Sequence, residues 1–221
     1  MLTQSAITEY PRLYRQTLHR SAAAPEAPAG VPMSFARNAE IFAEGETAGY
    51  VYKVVSGVVR VSQLLPDGRR QISAFHLPGD MFGFEIDDLH HASAEAIVPT
   101  KIVAFKWQSL AGSGASTSLV RELLNRTMMG LRHTQDHLLL LGRKNALERL
   151  AAFLLEMTDR LGGKSVLDLA MPRHDIADYL GLTLETVSRM FAELKEMGTI
   201  RLESSRRVHL LDAGKLKAMA A

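Results

Sequence analysis

The chain has 221 residues, enough for one large domain or two small ones, and 47% of them are hydrophobic, which supplies a core for either arrangement. Charged residues make up 23% and the formal net charge is only +2, so overall electrostatics neither demand nor exclude a nucleic-acid partner, and DNA binding has to come from local placement of charge. Cysteine is absent, which removes disulfides, thiolate nucleophiles, Cys-based zinc sites and cysteine-ligated iron–sulfur clusters together.

Residues 1–34 read as a flexible N-terminal extension. Arg12, Arg15 and Arg20 are scattered among Ala, Pro and Ser with no signal-peptide core, and the run AAAPEAPAGVP at 22–32 favours extended chain over packed structure. No later segment reaches the roughly 20 apolar residues that span a bilayer, because Leu138–Leu141 is broken by Gly142, Arg143 and Lys144. A soluble, cytoplasmic protein with no membrane partner is expected.

From Phe35 the pattern becomes short apolar or alternating runs separated by turn residues: EIF then EGE, VYKVV then SG, VVRVSQLL then PDG, QISAFHL then PGD, and KIVAF. Pro66, Asp67 and Gly68 make a good hairpin turn, since proline presets its own dihedral and glycine tolerates positive φ. Residues 35–111 are therefore expected to form an antiparallel β-roll.

Over 112–144 the periodicity changes to helical. Val120, Leu124, Thr127, Leu131, Thr134, Leu138 and Leu141 recur at alternating spacings of four and three, a seam that predicts a dimerisation helix pairing with a second copy. A helix packed on its own barrel can show the same stripe. Leu123 and Met128 lie off the seam, so one helix can face its partner on one side and the barrel on another.

Residues 145–221 read as a winged helix-turn-helix, which makes the fold class α+β. A helix is expected from Asn145 to Leu161, stopped by Gly162-Gly163, and Leu167, Leu169 and Met171 suggest a short strand before Pro172. In RHDIADYLGLTLETVSRMFA, from Arg173 to Ala192, a small Ala177 lets two helices approach, Gly181 permits the sharp turn, and Val187 fills the angle between the helices. Thr183 is a good N-cap for the second helix. Leu184 and Glu185 then sit in its first turn, with Ser188 and Arg189 following on the same face. Arg189 has the fork for guanine O6 and N7, Glu185 can accept from a cytosine amino group, Leu184 can touch a thymine methyl, and Ser188 suits a base or a phosphate. Taken alone, Glu185 and Arg189 read first as an exposed ion pair; inside this capped and packed turn they read as a DNA-reading face. From Thr199 to Leu211, two strands around ESSRR form the wing.

A barrel, a long dimerising helix and a C-terminal winged helix-turn-helix, in that order, resemble the CRP/FNR superfamily of bacterial regulators, and within it the FixK branch. The likeness is carried by GRRQISAFHLPGDMFGFE (68–85), AEAI (94–97), LLLLGRKNALERLAAFL (138–154) and DIADYLGLTLETVSR (175–189). It implies a cyclic-nucleotide-binding-like β-roll, a homodimer, and an E-x-x-S-R element, here Glu185 to Arg189, on a palindrome like TTGAT-N4-ATCAA. It also implies contact with RNA polymerase through exposed loops, for which the hairpin Asp67 to Arg70 is a candidate; a merely solvated hairpin is the other reading. The genes implied concern low oxygen or nitrogen metabolism.

Departures from the family narrow the input side. The chain lacks the cysteines that hold the oxygen-sensing cluster of FNR proteins. Phe84 follows Gly83 where the cyclic-nucleotide branch has a ligand-binding glutamate, and its phosphate-gripping arginine falls near His91 or Ala92. Pro172 occupies the neighbourhood of an oxidation-sensitive cysteine found in some FixK relatives. Activity without a cofactor or effector is expected. An effector-responsive or metal-responsive sensor of the same fold is the alternative, and two clusters invite it: His133 with His137, and Glu85, Asp87, Asp88, His90 and His91. No phosphate loop, nucleophile elbow or paired-acid signature points to an enzyme.

Overall fold

A computed structural model describes residues 30–111 and 117–220; residues 1–29 of the expected extension and 112–116 at the head of the expected dimerisation helix lie outside the described residues. Two four-stranded antiparallel sheets form the β-roll. One has the order β1-β8-β3-β6, with β1 Val31–Phe35, β3 Tyr50–Ser56, β6 Met81–Phe82 and β8 Thr100–Lys106; the other has the order β2-β7-β4-β5, with β2 Glu40–Phe42, β4 Val59–Leu64, β5 Arg70–His76 and β7 Ser93–Ala96. The roll starts at Val31, ahead of the expected edge at Phe35. Pro32 suggested unstructured chain there, but β1 is an edge strand, where a residue without an N–H is tolerated.

The β4–β5 turn forms as its sequence predicts: Gly68, at φ 83°, donates to the Leu65 carbonyl at 2.9 Å. A short helix α1 (Trp107–Ala111), not anticipated in the sequence, leads toward α2 (Thr117–Arg143). Helix α3 (Ala146–Arg160) begins with a capping box, in which Asn145 accepts from the Glu148 amide while the Glu148 carboxylate accepts from the Asn145 amide. Strand β9 (Val166–Asp168), α4 (Arg173–Leu180), α5 (Leu184–Glu196), β10 (Ile200–Leu202) and β11 (Arg207–Leu210) complete the winged helix-turn-helix, with sheet order β10-β11-β9. A final helix α6 (Ala213–Ala220) buries Leu216 against this unit and was not foreseen.

Two apolar cores divide the molecule unexpectedly. Phe42, Tyr52, Val54, Val59, Phe82, Ala94, Ile102 and Ala104 fill the roll. Val58, Ile72, Phe75, Leu77 and Ile97, also roll residues, belong instead to one continuous core with Leu150, Phe153, Tyr179, Phe191 and Leu194. The outer face of β5 is thus a docking surface for the C-terminal helical unit.

Candidate nucleic-acid interface

Helix α4 ends at Gly181, whose φ of 62° puts it in the left-handed region; the amides of Gly181 and Leu182 both return to the Ala177 carbonyl. A Cβ on Gly181 would stand at an ordinary 3.5 Å from Arg149 Nη1 and Leu141 Cδ2, so dihedral angle, not space, requires glycine. Thr183 is extended and its hydroxyl accepts from the Thr186 amide at 3.2 Å, starting α5 where expected. Val187, Met190, Phe191 and Leu194 bury one side of α5. Thr183, Leu184, Glu185, Ser188 and Arg189 are all exposed, and Leu184 keeps 49% of its surface open to solvent. Among the described residues neither Glu185 nor Arg189 forms an ion pair, so the face is free of the pairing that was its competing reading. The wing stands beside it, braced by His209 Nε2 and Glu203 Oε2 at 2.7 Å and carrying exposed Arg201 and Arg207.

Helix α2 presents two unlike sides. Leu124, Leu131 and Leu138 of the seam are 54%, 53% and 70% exposed, and off-seam Met128 and Leu139 widen the strip. Thr127 and Thr134 are exposed, and their hydroxyls donate back to the carbonyls of Leu123 and Gly130, each at 3.0 Å, which removes much of their polarity from that face. The Val120 side chain lies outside the described part. Leu141, at the end of the seam, is half-buried. The side turned to its own chain mixes polar and apolar contacts: Arg126 donates to the Gly79 carbonyl at 2.9 Å, His133 and His137 meet Tyr179, and Leu140 packs on the shared core, while of the two off-seam residues Leu123 is half-buried and Met128 is exposed.

The two histidines considered as a metal pair are members of this junction. Their ring centroids are 6.5 Å apart; His137 stacks on Tyr179 at 4.1 Å, and His133 Nε2 lies 3.3 Å from the Tyr179 hydroxyl, which also donates to Glu156. Burial lowers the pKa of His137, and burial beside Glu156 pushes that of Tyr179 well up. Arg160 closes the cluster, donating to the Phe75 carbonyl at 2.7 Å and to Asp80 at 2.6 Å. In the second cluster, His90 is buried flat against Phe42, 3.6 Å between centroids, while exposed His91 pairs with Asp87. Among the described residues no group of three or more such side chains is arranged to hold a metal ion.

Arg60 and Asp175 escaped sequence reasoning. Arg60 interrupts the apolar run VVRVSQLL, is 8% exposed, and crosses from β4 to bond Asp175 of α4 at 2.8 Å. Burial opposes its charge, but hydrogen bonds to Glu95 and Asp175 outweigh that and hold its pKa above the ordinary value. Arg70, read as part of an exposed hairpin, instead turns inward to Asp175 and Asp178, while Asp67 to Arg69 stand in solvent with Arg69 paired to Asp67. At N1 of α4, Arg173 lies 3.0 Å over the Phe191 ring, and burial lowers its pKa to about 10.

A β-roll joined by a long helix with an exposed apolar seam to a winged helix-turn-helix defines a dimeric DNA-binding transcription regulator. Residues 32–112 match the model of the cyclic nucleotide-binding domain, and residues 148–219 that of the Crp-like helix-turn-helix domain. The chain is 48% identical over 196 residues to the nitrogen fixation regulation protein FixK of Azorhizobium caulinodans, covering 86% of this chain and 79% of that one. It is 34% identical over 187 residues to the transcriptional activator protein Anr of Pseudomonas aeruginosa, covering 81% and 76%. The solved structure of FixK2 from Bradyrhizobium japonicum superposes with a TM-score of 0.83 at 46% identity, covering 88% of this chain and 98% of that one. The protein belongs to the CRP/FNR family of transcription regulators, in its FixK branch.

Proposed function

We propose that the protein is an effector-independent activator of low-oxygen or nitrogen-metabolism genes, binding as a homodimer to a TTGAT-N4-ATCAA-like palindrome. The observation that carries this reading is the exposed face of α5, where Leu184, Glu185, Ser188 and Arg189 stand together, capped by Thr183, with no ion pair for either charge among the described residues. Arg189 takes guanine, Glu185 the cytosine amino group and Leu184 a thymine methyl. The α2 seam, from Val120 through Leu124, Thr127, Leu131, Thr134 and Leu138 to Leu141, supplies the two-fold axis that sets two such faces one helical turn apart. The relatives, a nitrogen fixation regulation protein and a transcriptional activator protein, support the gene class.

Independence from an effector is supported inside the roll. Phe84 stands edge-on to Trp107, and the Glu85 carboxylate accepts from the His91 amide at 3.3 Å, so a negative charge lies beside the position near which the cyclic-nucleotide branch has its phosphate-gripping arginine. The exposed tip from Asp67 to Arg69 is the surface offered to RNA polymerase. The cytoplasm is where promoter DNA and polymerase are met, and among the described residues no helix is long and apolar enough to cross a membrane.

Fluorescence anisotropy of the purified chain, with nothing added, on the palindrome and on a duplex with scrambled half-sites tests the reading. Tight binding to the palindrome alone is expected, and equal affinity for both duplexes sinks it.

A further inference from the structure

We propose that Arg60 and Arg70 of the β-roll are positioning residues for DNA reading, acting through buried Asp175 to set the angle of the helix-turn-helix. The proposal rests on the palindrome reading and adds to it the device that aims the reader.

Asp175 sits in the first turn of α4, where a carboxylate ordinarily serves the free amides of its own helix. Here both oxygens are taken by other elements. Oδ2 accepts from Arg60 Nη1 at 2.8 Å and Oδ1 from Arg70 Nη2 at 2.5 Å, with His174 Nε2 of the same helix 3.1 Å from Oδ1, while the carboxylate itself has no exposed surface. Each arginine is held from behind. Arg60 Nε donates to Glu95 of β7 at 3.0 Å, and Arg70 Nε and Nη2 reach Asp178, one turn along α4, at 2.9 and 2.7 Å. Forked guanidinium groups from two neighbouring strands therefore grip one helix, and α4 cannot slide or roll on the roll without disturbing both.

Cohesion between the domains does not need these charges. Phe75 packs on Tyr179, 5.0 Å between ring centroids, within a core shared by both units, and burying ions loses in desolvation much of what their attraction returns. Apolar contact is indifferent to small rotations; a forked ion pair is not. The ionic cluster thus contributes direction. Helix α4 carries α5 through the Gly181 turn and the buried Val187, so any rotation of α4 on β4 and β5 passes to the DNA-reading face. In a two-fold dimer that error changes the separation of the two faces and leaves the base preference of each untouched.

The test is binding of the purified full chain to duplexes in which TTGAT and ATCAA are separated by the four-base spacer, or by spacers one and two bases shorter and longer, with scrambled half-sites as control. Wild type is expected to prefer the four-base spacer. Arg70→Ala is expected to bind that site about tenfold more weakly while its affinity for the other spacings changes little, so the preference flattens; TTGAT remains favoured over scrambled sequence. Arg70→Lys, which keeps a charge beside Asp175 and Asp178, recovers part of the preference. Arg60→Met combined with Asp175→Leu replaces the buried Arg60–Asp175 pair with apolar side chains, leaving Arg70 held by Asp178 alone, and is expected to give a folded dimer, checked by thermal unfolding and light scattering, with a flattened preference. Variants that keep the wild-type spacing preference, or that lose affinity equally on every duplex including the scrambled one, overturn the proposal. A wild-type protein that selects TTGAT yet ignores spacing overturns the palindrome reading itself, and the proposal with it.

Discussion

Arg149 donates from Nη1 to the carbonyl of Leu180 at 2.9 Å, tying α3 to the last residue before the Gly181 turn. The same guanidinium holds the other side of the joint, with Nη2 on the Leu141 carbonyl at 2.8 Å and Nε on the Lys144 carbonyl at 2.9 Å. One side chain thus links the end of the dimer helix, the α2–α3 connection and the helix-turn-helix. Arg149→Met keeps the unbranched apolar stem of the side chain and strips all three carbonyls of this donor. A loss of about 1–3 kcal/mol in unfolding free energy is expected, because half-buried acceptors left unpaired cost more than the hydrogen bonds return on average. Chemical denaturation checks it, and an unchanged midpoint would show that water replaces the guanidinium without penalty.

In the proposed reading, Arg189 is the residue on which base recognition depends most directly. Arg189→Ala is expected to cost about 1–3 kcal/mol on the palindrome and to leave affinity for scrambled DNA nearly unchanged, since a phosphate contact would lower both alike. Anisotropy titrations at one fixed salt concentration make the comparison. Light scattering should show the same dimer as wild type, because Arg189 lies on α5, away from the seam.

Leu131 tests the dimer. It lies near the middle of the α2 seam and is 53% exposed in the single chain. On the proposed seam, Leu131→Glu places a carboxylate opposite its own copy across the two-fold axis, where burial and like charge both oppose pairing. Light scattering should report a monomer with unchanged helix content, and operator affinity should fall because each half-site is then bound alone. A Leu131→Glu protein that stays dimeric refutes the seam.

The parts of this molecule that were legible in the sequence obey local rules. Gly181, Thr183 and Val187 answer to the geometry of one turn, Pro66 to Gly68 to one hairpin, and Asn145 with Glu148 to one helix start; each needs only neighbours a few residues away. The seam was legible as a period, but its outer and inner sides were not separable, since Met128 looks as apolar on paper as any core residue and is 55% exposed. Arg60 and Asp175 are 115 positions apart, and Arg149 and Leu180 are 31 apart, so no window of sequence contains either pair. A faint signal existed in each case: a charge inside the strand pattern VVRVSQLL, and another in the first turn of an otherwise well-formed helix. Such charges are burial candidates whenever a second domain is known to follow. Helix α6 had no comparable signal, as only Leu216 of its eight residues is buried.

Histidine burial at the same junction predicts a pH dependence. His76, on β5, stacks on Phe82 at 5.1 Å, and burial is the main cause that lowers its pKa from 6.5 to about 4, with Arg160 and His133 acting in the same direction and Asp80 against them. His137 is lowered too, again chiefly by burial. A depressed histidine is neutral in the folded protein over a range where the unfolded chain binds a proton. Stability contributed by the neutral form is therefore complete above about pH 6.5, declines as the pH falls toward 4, and declines no further through this group below that value. For His76 the fall is about 1–3 kcal/mol across the window, discounted for its partial contact with solvent. Carboxylates weaken the fold over part of the same range, so the measurement is a difference: unfolding free energies of wild type and His76→Gln at pH 7 and pH 5. The variant is expected to start lower at pH 7, having lost the stacked ring, and to lose less on acidification. Parallel pH profiles for the two proteins would place the acid sensitivity in other groups and remove His76 from the account.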